Sequence, residues 1–254
     1  MTESFFDIRK YLLENLVKSE AVGTPNGYIE SESLDLTKLE FVGYDFEYGD
    51  ITKQMDDPLY VDTISETNNT SSSQVVELQR DYATTATLSW SVTKGLKHVA
   101  KVSVKLGTPK QIINISAEYS IEISSSETTT KTDTTTQTWK VRTPINIQPH
   151  TKVVTNVIVD KANYAAPFRF NGELKGTISF IAMAQPKGSE PNIGIECEGP
   201  LTEFLEGMPE VPELSIKNGK LTFSGGGVFT GVAGLDINIK SDEYPTKILR
   251  LRSQ

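Results

Sequence analysis

Cysteine is almost absent from this chain. Cys197 is the only one in 254 residues, so no internal disulfide framework can staple the fold. Histidine is nearly as scarce. His98 and His150 stand alone, without an acidic or cysteine partner at ligand spacing, so neither a metal site nor histidine catalysis is expected. No apolar run approaches the ~20 residues of a transmembrane helix. Cationic charge is in deficit: 25 Lys and Arg against 33 Asp and Glu give a net charge of −8. That removes general attraction to nucleic acid and to anionic lipid headgroups, so membrane binding would need a receptor or a local basic patch. The start, Met1–Lys10, lacks the basic opening and unbroken apolar stretch of a secretory signal. The expectation is a chain made without such export, or a mature form.

Nucleophiles and phosphate cradles are missing too. Cys197 lies between Glu196 and Glu198, whose charges are expected to raise its pKa and dull it. Gly225-Gly-Gly227 has no following Lys-Ser/Thr and is not a phosphate loop. No enzyme, catalytic residue, metal or cofactor is expected.

What the chain has is serine, threonine and alternation. Hydrophobic residues reach only 37%, and the shortfall is filled by hydroxyls rather than charge, which favours thin β-sheets with wet faces. Residues 4–18 carry Phe5, Ile8, Leu12 and Leu16 at helical spacing, with Ser4 as the expected N-cap. From Tyr28 to Tyr60 short elements and many aromatics suggest either a small core or a receptor surface. After about Ser65 no helical period returns. In 74–93, Ala86, Leu88, Trp90 and Val92 alternate with Thr87, Ser89, Ser91 and Thr93. Ser124–Thr138 holds eleven Ser or Thr in fifteen positions; an extended strand is favoured over a flexible linker, because branched Thr suits a pleated surface. Further strands are expected at Val153–Val159, Lys175–Ala184, Leu214–Ile216, Leu221–Phe223 and Leu235–Ile239.

The most informative segment is 98–123. On its first arm Ala100, Val102, Val104 and Leu106 alternate with Lys101, Ser103 and Lys105. On its second, Ile113, Ile115, Ala117, Tyr119 and Ile121 alternate with Asn114, Ser116, Glu118, Ser120 and Glu122. Gly107-Thr108-Pro109-Lys110 supplies turn chemistry between them. Each arm thus has one oily and one polar face, at about the length of a membrane-spanning strand. Taken alone, such a hairpin is more often a half-buried pair of strands in a soluble sheet.

The flanks change that weighting. Ala86–Thr93, Ser120–Ser126, Thr128–Trp139, Ile145–Pro149 and Lys152–Val159, with the glycine-rich Ser224–Gly234, follow one another in a recognisable order. In this the chain resembles the aerolysin-like β-pore-forming toxins, specifically the clostridial epsilon-toxin and mosquitocidal-toxin branch that includes small Bacillus parasporal crystal proteins. The resemblance spans roughly Ser71 to Ser241 and implies a mainly β fold of long twisted antiparallel strands, elongated, with a small α-containing N-terminal part. The chain then divides into 1–70, an α+β part outside the resemblance whose aromatics make it a candidate receptor-binding part; 71–241, the aerolysin-like β region with an insertion hairpin at about 98–123; and 242–254, a candidate C-terminal propeptide.

The implied function is a protease-activated pore former, stored as an intracellular parasporal crystal or released, that meets a target-cell membrane through an unknown receptor and forms a homo-oligomer. Ala100, Val102, Val104, Leu106, Ile113, Ile115, Ala117, Tyr119 and Ile121 would then face lipid. Lys101, Ser103, Lys105, Asn114, Ser116, Glu118, Ser120 and Glu122 would line the lumen, and Lys247, Arg250 and Arg252 are cleavage candidates. The alternative is a non-lytic binding or storage protein of the same fold. The charges at Lys101, Lys105, Lys110, Glu118 and Glu122 depart from the Ser/Thr/Asn lumen expected of this branch.

Overall fold

Alternation of apolar and hydroxyl side chains dictates strands with one dry and one wet face, and the chain spends most of its length in them. The computed structural model describes residues 5–16, 27–97, 103–112, 115, 118–123, 128–184, 193–205 and 208–246. Its elements run β1 (Phe6–Asp7), α1 (Ile8–Asn15), β2 (Tyr28–Ile29), β3 (Glu40–Tyr48), β4 (Thr52–Met55), β5 (Leu59–Asn68), β6 (Gln74–Lys94) and β7 (Leu96–Lys97). There follow β8 (Ser103–Gly107), β9 (Glu118–Glu122), β10 (Thr129–Ile147), β11 (Thr151–Lys175), β12 (Thr177–Ala184) and β13 (Ile193–Pro200). α2 (Leu201–Phe204), β14 (Leu214–Lys217) and β15 (Lys220–Pro245) complete the chain.

The main sheet has the order β10-β6-β15-β11-β3, with β4 and β5 continuing the β11 edge and β14 pairing β15. Its spine is the antiparallel pair β11–β15, in register from Thr151↔Pro245 to Glu173↔Thr222 with one shift at Asp160/Lys161. β6 follows β15 only from Thr87 to Lys94. Towards its start β6 leaves that sheet together with β10, and the two fold over the far half of the spine. A sandwich results, its core formed by Ile64, Leu78, Val141, Ile145, Ile147, Val153 and Val157. The second and larger core lies under the other half, around Trp90, Phe168, Phe170, Phe223 and Phe229.

Between the cores β10 passes directly over β15. Gly234 leaves room for the Trp139 ring: a Cβ there would meet it at 2.4 Å. The buried Gln137 carboxamide accepts from Gly234 N–H (2.6 Å) and donates to its carbonyl (3.1 Å), while Trp139 Nε1 donates to Thr84 Oγ1 (2.9 Å).

The wet face is a hydroxyl lattice. β10 and β6 pair with Thr130 opposite Ser91 and Thr132 opposite Ser89, and these side chains bond across the ladder at 2.8 and 3.0 Å. The Thr-rich tract is therefore a strand from Thr129 onward. Asn68, fully buried, closes the β5–β6 turn through bonds to the Ser72 and Ile147 carbonyls.

Two local expectations are corrected. The helix is shorter than 4–18, because Phe6–Asp7 pair in parallel with Leu96–Lys97 and Asp7 becomes the N-cap, accepting from Lys10 N–H; Ser4 lies outside the described residues. Leu221–Phe223 and Leu235–Ile239 belong to one strand of 26 residues, β15. The glycines between them do not break it, since the rings of Phe168 and Phe170 occupy the space that side chains at Gly227 and Gly225 would need.

Candidate functional site

β8 and β9 pair only with each other, forming a separate sheet of two strands, five residues each. The register sets Val104 opposite Ile121 and Leu106 opposite Tyr119. Val104, Leu106, Ile121 and Ile123 are buried, with Tyr119 and Ile115 half-buried against the same core, whereas Ser103, Lys105, Glu118 and Ser120 are exposed and Glu122 is intermediate. The side chains expected to face lipid are thus the ones turned to the sheet, and those expected in a lumen face water. Ala100, Lys101, Val102, Ile113, Asn114, Ser116 and Ala117 lie outside the described residues, as do Lys247, Arg250 and Arg252.

The turn differs from its sequence reading. β8 ends at Gly107 and pairs with Glu118, so the connection runs from 108 to 117 instead of closing tightly at 107–110. Ile112 explains the difference: it is 2% exposed, drawn into the core together with the buried Pro109. Burial of an isoleucine, about 1.5–3 kcal/mol, outweighs local turn preference.

The surface beneath the hairpin is aromatic. Trp90 lies 4.4 Å, centroid to centroid, from Tyr119 and 5.3 Å from Phe229. Its indole N–H donates to the Tyr48 hydroxyl at 2.7 Å, and that hydroxyl donates to the Gly107 carbonyl at 2.7 Å. Burial pushes the Tyr48 phenol up to about 12, against a smaller opposing effect of the Trp90 bond. Nearby, Lys105 N–H donates to the Tyr44 hydroxyl at 2.5 Å. Burial, and after it the charge of Asp133, also raises Tyr119. Of the aromatic residues between Tyr28 and Tyr60, Phe41, Tyr44, Phe46 and Tyr48 therefore serve this core, while Tyr28 and Tyr60 are exposed. Sequence patterning missed the roles of Tyr44 and Tyr48; their alternation with Asp45 and Glu47 was the available signal.

Among the described residues no group of three or more His, Cys, Asp or Glu could hold a metal ion. Cys197 is half-buried and its thiol is raised, but burial is the cause rather than its carboxylate neighbours, which strand alternation turns to the opposite face. A cavity of about 650 Å³ beside Tyr11, Leu205, Met208, Val211 and Leu214 brings in only Glu210 and Tyr11 as ionisable groups.

The fold recurs among known structures. A non-toxic crystal protein from Bacillus thuringiensis superposes with a TM-score of 0.73 at 15% identity, covering 96% of this chain and 99% of that one. The Mpp75Aa1.1 β-pore-forming protein from Brevibacillus laterosporus gives 0.67 at 14% identity, covering 94% and 90%. A chain of the Cry23Aa1–Cry37Aa1 binary complex gives 0.61 at 19% identity, covering 99% and 94%. At these identities the likeness establishes the fold. No curated protein sequence matches the chain. The profile of one family does match, over residues 23–252, and it spans the sandwich, the hydroxyl lattice and the covered hairpin alike. By that match the chain belongs to the Clostridium epsilon toxin ETX/Bacillus mosquitocidal toxin MTX2 family, as a toxin-like, β-rich protein.

Proposed function

We propose that the protein is a β-barrel pore former that inserts the segment 98–123 into a target membrane after oligomerising. One observation carries this reading: among the described residues β8 and β9 share no ladder with the main sheet, and Val104, Leu106, Ile121 and Ile123 are stowed on the aromatic core. Leaving that site costs side-chain burial, about 1.5–3 kcal/mol for each of Val104, Leu106, Ile121 and Ile123. Lipid returns the same quantity, because hydrocarbon replaces the core on the same face. A lone hairpin in hydrocarbon leaves its edge amides without partners, and only a closed barrel satisfies them, so ring formation precedes or accompanies insertion. In the barrel Lys105 and Glu118 meet water in the lumen, where unlike charges on adjacent strands can pair. With a net charge of −8 the chain needs a receptor to approach an anionic surface. Trimming at Lys247, Arg250 or Arg252 is the trigger in this reading. Storage as a parasporal crystal fits the family.

A non-lytic binding or storage role is the second reading, favoured by the exposed charges of Lys105 and Glu118 on the hairpin. Single-channel recording across a planar bilayer separates the two. Discrete conductance steps from trypsin-treated protein, and none from uncut protein, are the expected result. Silence at high concentration of a cut, folded product, repeated on cells that could supply a receptor, would overturn the pore reading.

A further inference from the structure

We infer that Tyr44 and Tyr48 form an edge cap: two hydroxyls of β3 that occupy the free backbone edge of β8 and hold the hairpin closed until β3 shifts. The inference rests on the pore reading for its consequence, but not for its geometry.

In an antiparallel ladder the N–H and C=O of one residue point to the same side, inward and outward by turns along the strand. Lys105 donates its N–H to Tyr44 and Gly107 gives its C=O to Tyr48, so both residues face away from β9. Their spacing of two along β8 fits this parity. These outward groups are the ones a neighbouring strand must pair with if the hairpin is to join a closed sheet. In the monomer side-chain hydroxyls take that strand's place.

The cap is rigid on the side of the sheet. Tyr44 lies nearly parallel to Phe41, centroids 6.0 Å apart. Tyr48 is boxed by Phe46 at 4.8 Å, Phe229 at 5.7 Å and Phe168 at 6.4 Å, and its hydroxyl is oriented by the Trp90 indole. β3 itself is a margin of the main sheet, laddered to β11 alone and irregular near Gly43, where φ is +57° and the register slips between Asn171 and Glu173. A strand held on one side and already irregular can yield without disrupting the spine. Because both hydroxyls belong to β3, one shift frees both ends of the exposed edge. The cap therefore gives strand β3, which lies in the N-terminal segment, a direct grip on the hairpin.

The test uses the uncut, full-length protein with Tyr44→Phe and Tyr48→Phe, which keep the rings and remove the hydroxyls. Tyr44→Phe is the cleaner variant, since Tyr48→Phe also strands the Trp90 N–H. Native-state amide exchange over 103–107 is expected to accelerate roughly threefold to tenfold, as the loss of one such hydrogen bond predicts, with β11 and β15 unchanged. Unchanged exchange at Lys105 in Tyr44→Phe would overturn the cap. The second readout is dye release from vesicles after trypsin: the rate should rise by a similar factor while the final extent stays the same. Faster exchange with an unaltered release rate would overturn the claim that the cap limits opening. Faster exchange when no form of the protein, native included, releases dye from vesicles or from dye-loaded cells that could supply a receptor would leave the cap standing and sink the pore reading instead.

Discussion

The two halves of the spine carry covers of opposite kinds. At one half β6 and β10, strands of 21 and 19 residues, lie over an aliphatic core in which Tyr82 is the one aromatic neighbour. At the other, a hairpin with arms of five residues lies over a box of phenylalanines, tyrosines and a tryptophan. The ribbon is tied in covalently and by ladder bonds, because β6 continues into the sheet beside β15. The hairpin is tied by ring contacts, by side-chain hydroxyls and, at its base, by one backbone bond from Leu96 N–H to the Ile123 carbonyl (3.1 Å). Aromatic surfaces and hydroxyls can be vacated one contact at a time, whereas a ladder that runs into the main sheet cannot be lifted without tearing that sheet. On the pore reading proposed above, the molecule keeps a permanent cover and a removable one on the same pair of strands.

Replacing Trp90 with alanine strikes the removable side at its hub, taking away contacts to Tyr119 and Phe229 and the bond to Tyr48. A loss of about 3–5 kcal/mol is expected in urea unfolding. A loss under about 1 kcal/mol would mean that the aromatic box does not support the fold. On the permanent side, Ile147→Ala removes a residue 1% exposed in the sandwich core. It should cost about 2–4 kcal/mol in the same assay while leaving amide exchange over 103–107 near native, the sign that the two covers are energetically separate. Co-variation of the two would erase the distinction drawn here.

The smallest effect is the share of the alkaline pH dependence that Tyr48 carries on the aromatic side. The Tyr48 phenol titrates at about 12 when folded against an ordinary 10.0. A raised folded value means its contribution is present in full below the unfolded pKa and disappears as pH climbs from about 10 to about 12. Since the ring is not fully enclosed, the loss expected from Tyr48 is about 1 kcal/mol, so that the alkaline loss is smaller by that amount in Tyr48→Phe and unaltered by Ile147→Ala. Urea midpoints at pH 9 and pH 11.5 would show it.

Much of this was legible in the residues. Period-two patterning fixed the faces of β6, β10 and the hairpin, since a strand cannot turn one oily side chain outward without turning all of them. The chain order of hydroxyl strand, amphipathic hairpin and hydroxyl strand pointed to the family. What patterning could not supply were the tertiary overrides. Gly107 and Pro109 read as a tight turn, yet Ile112 finds cover in the core and stretches the connection to 117. Leu221–Phe223 and Leu235–Ile239 read as strands apart from the glycine-rich stretch between them, yet all three form one strand, and the Phe168 and Phe170 rings pack over Gly227 and Gly225. Tyr44 and Tyr48 read as ordinary aromatics because a hydroxyl that meets another strand's edge leaves no mark at short range. The helix began late for the same reason: its partner, Leu96–Lys97, lies far along the chain.

The spine has a mechanical meaning as well. β15 runs 26 residues without interruption, a span of about 85 Å at strand rise, and β11 accompanies it for most of that length. A pull applied along its axis is met in shear, with many ladder bonds loaded together, while a pull on the hairpin peels contacts in sequence. The same molecule is thus stiff along its length and yielding at one flank, and a force transmitted through a tether would release the flank before it strained the rod.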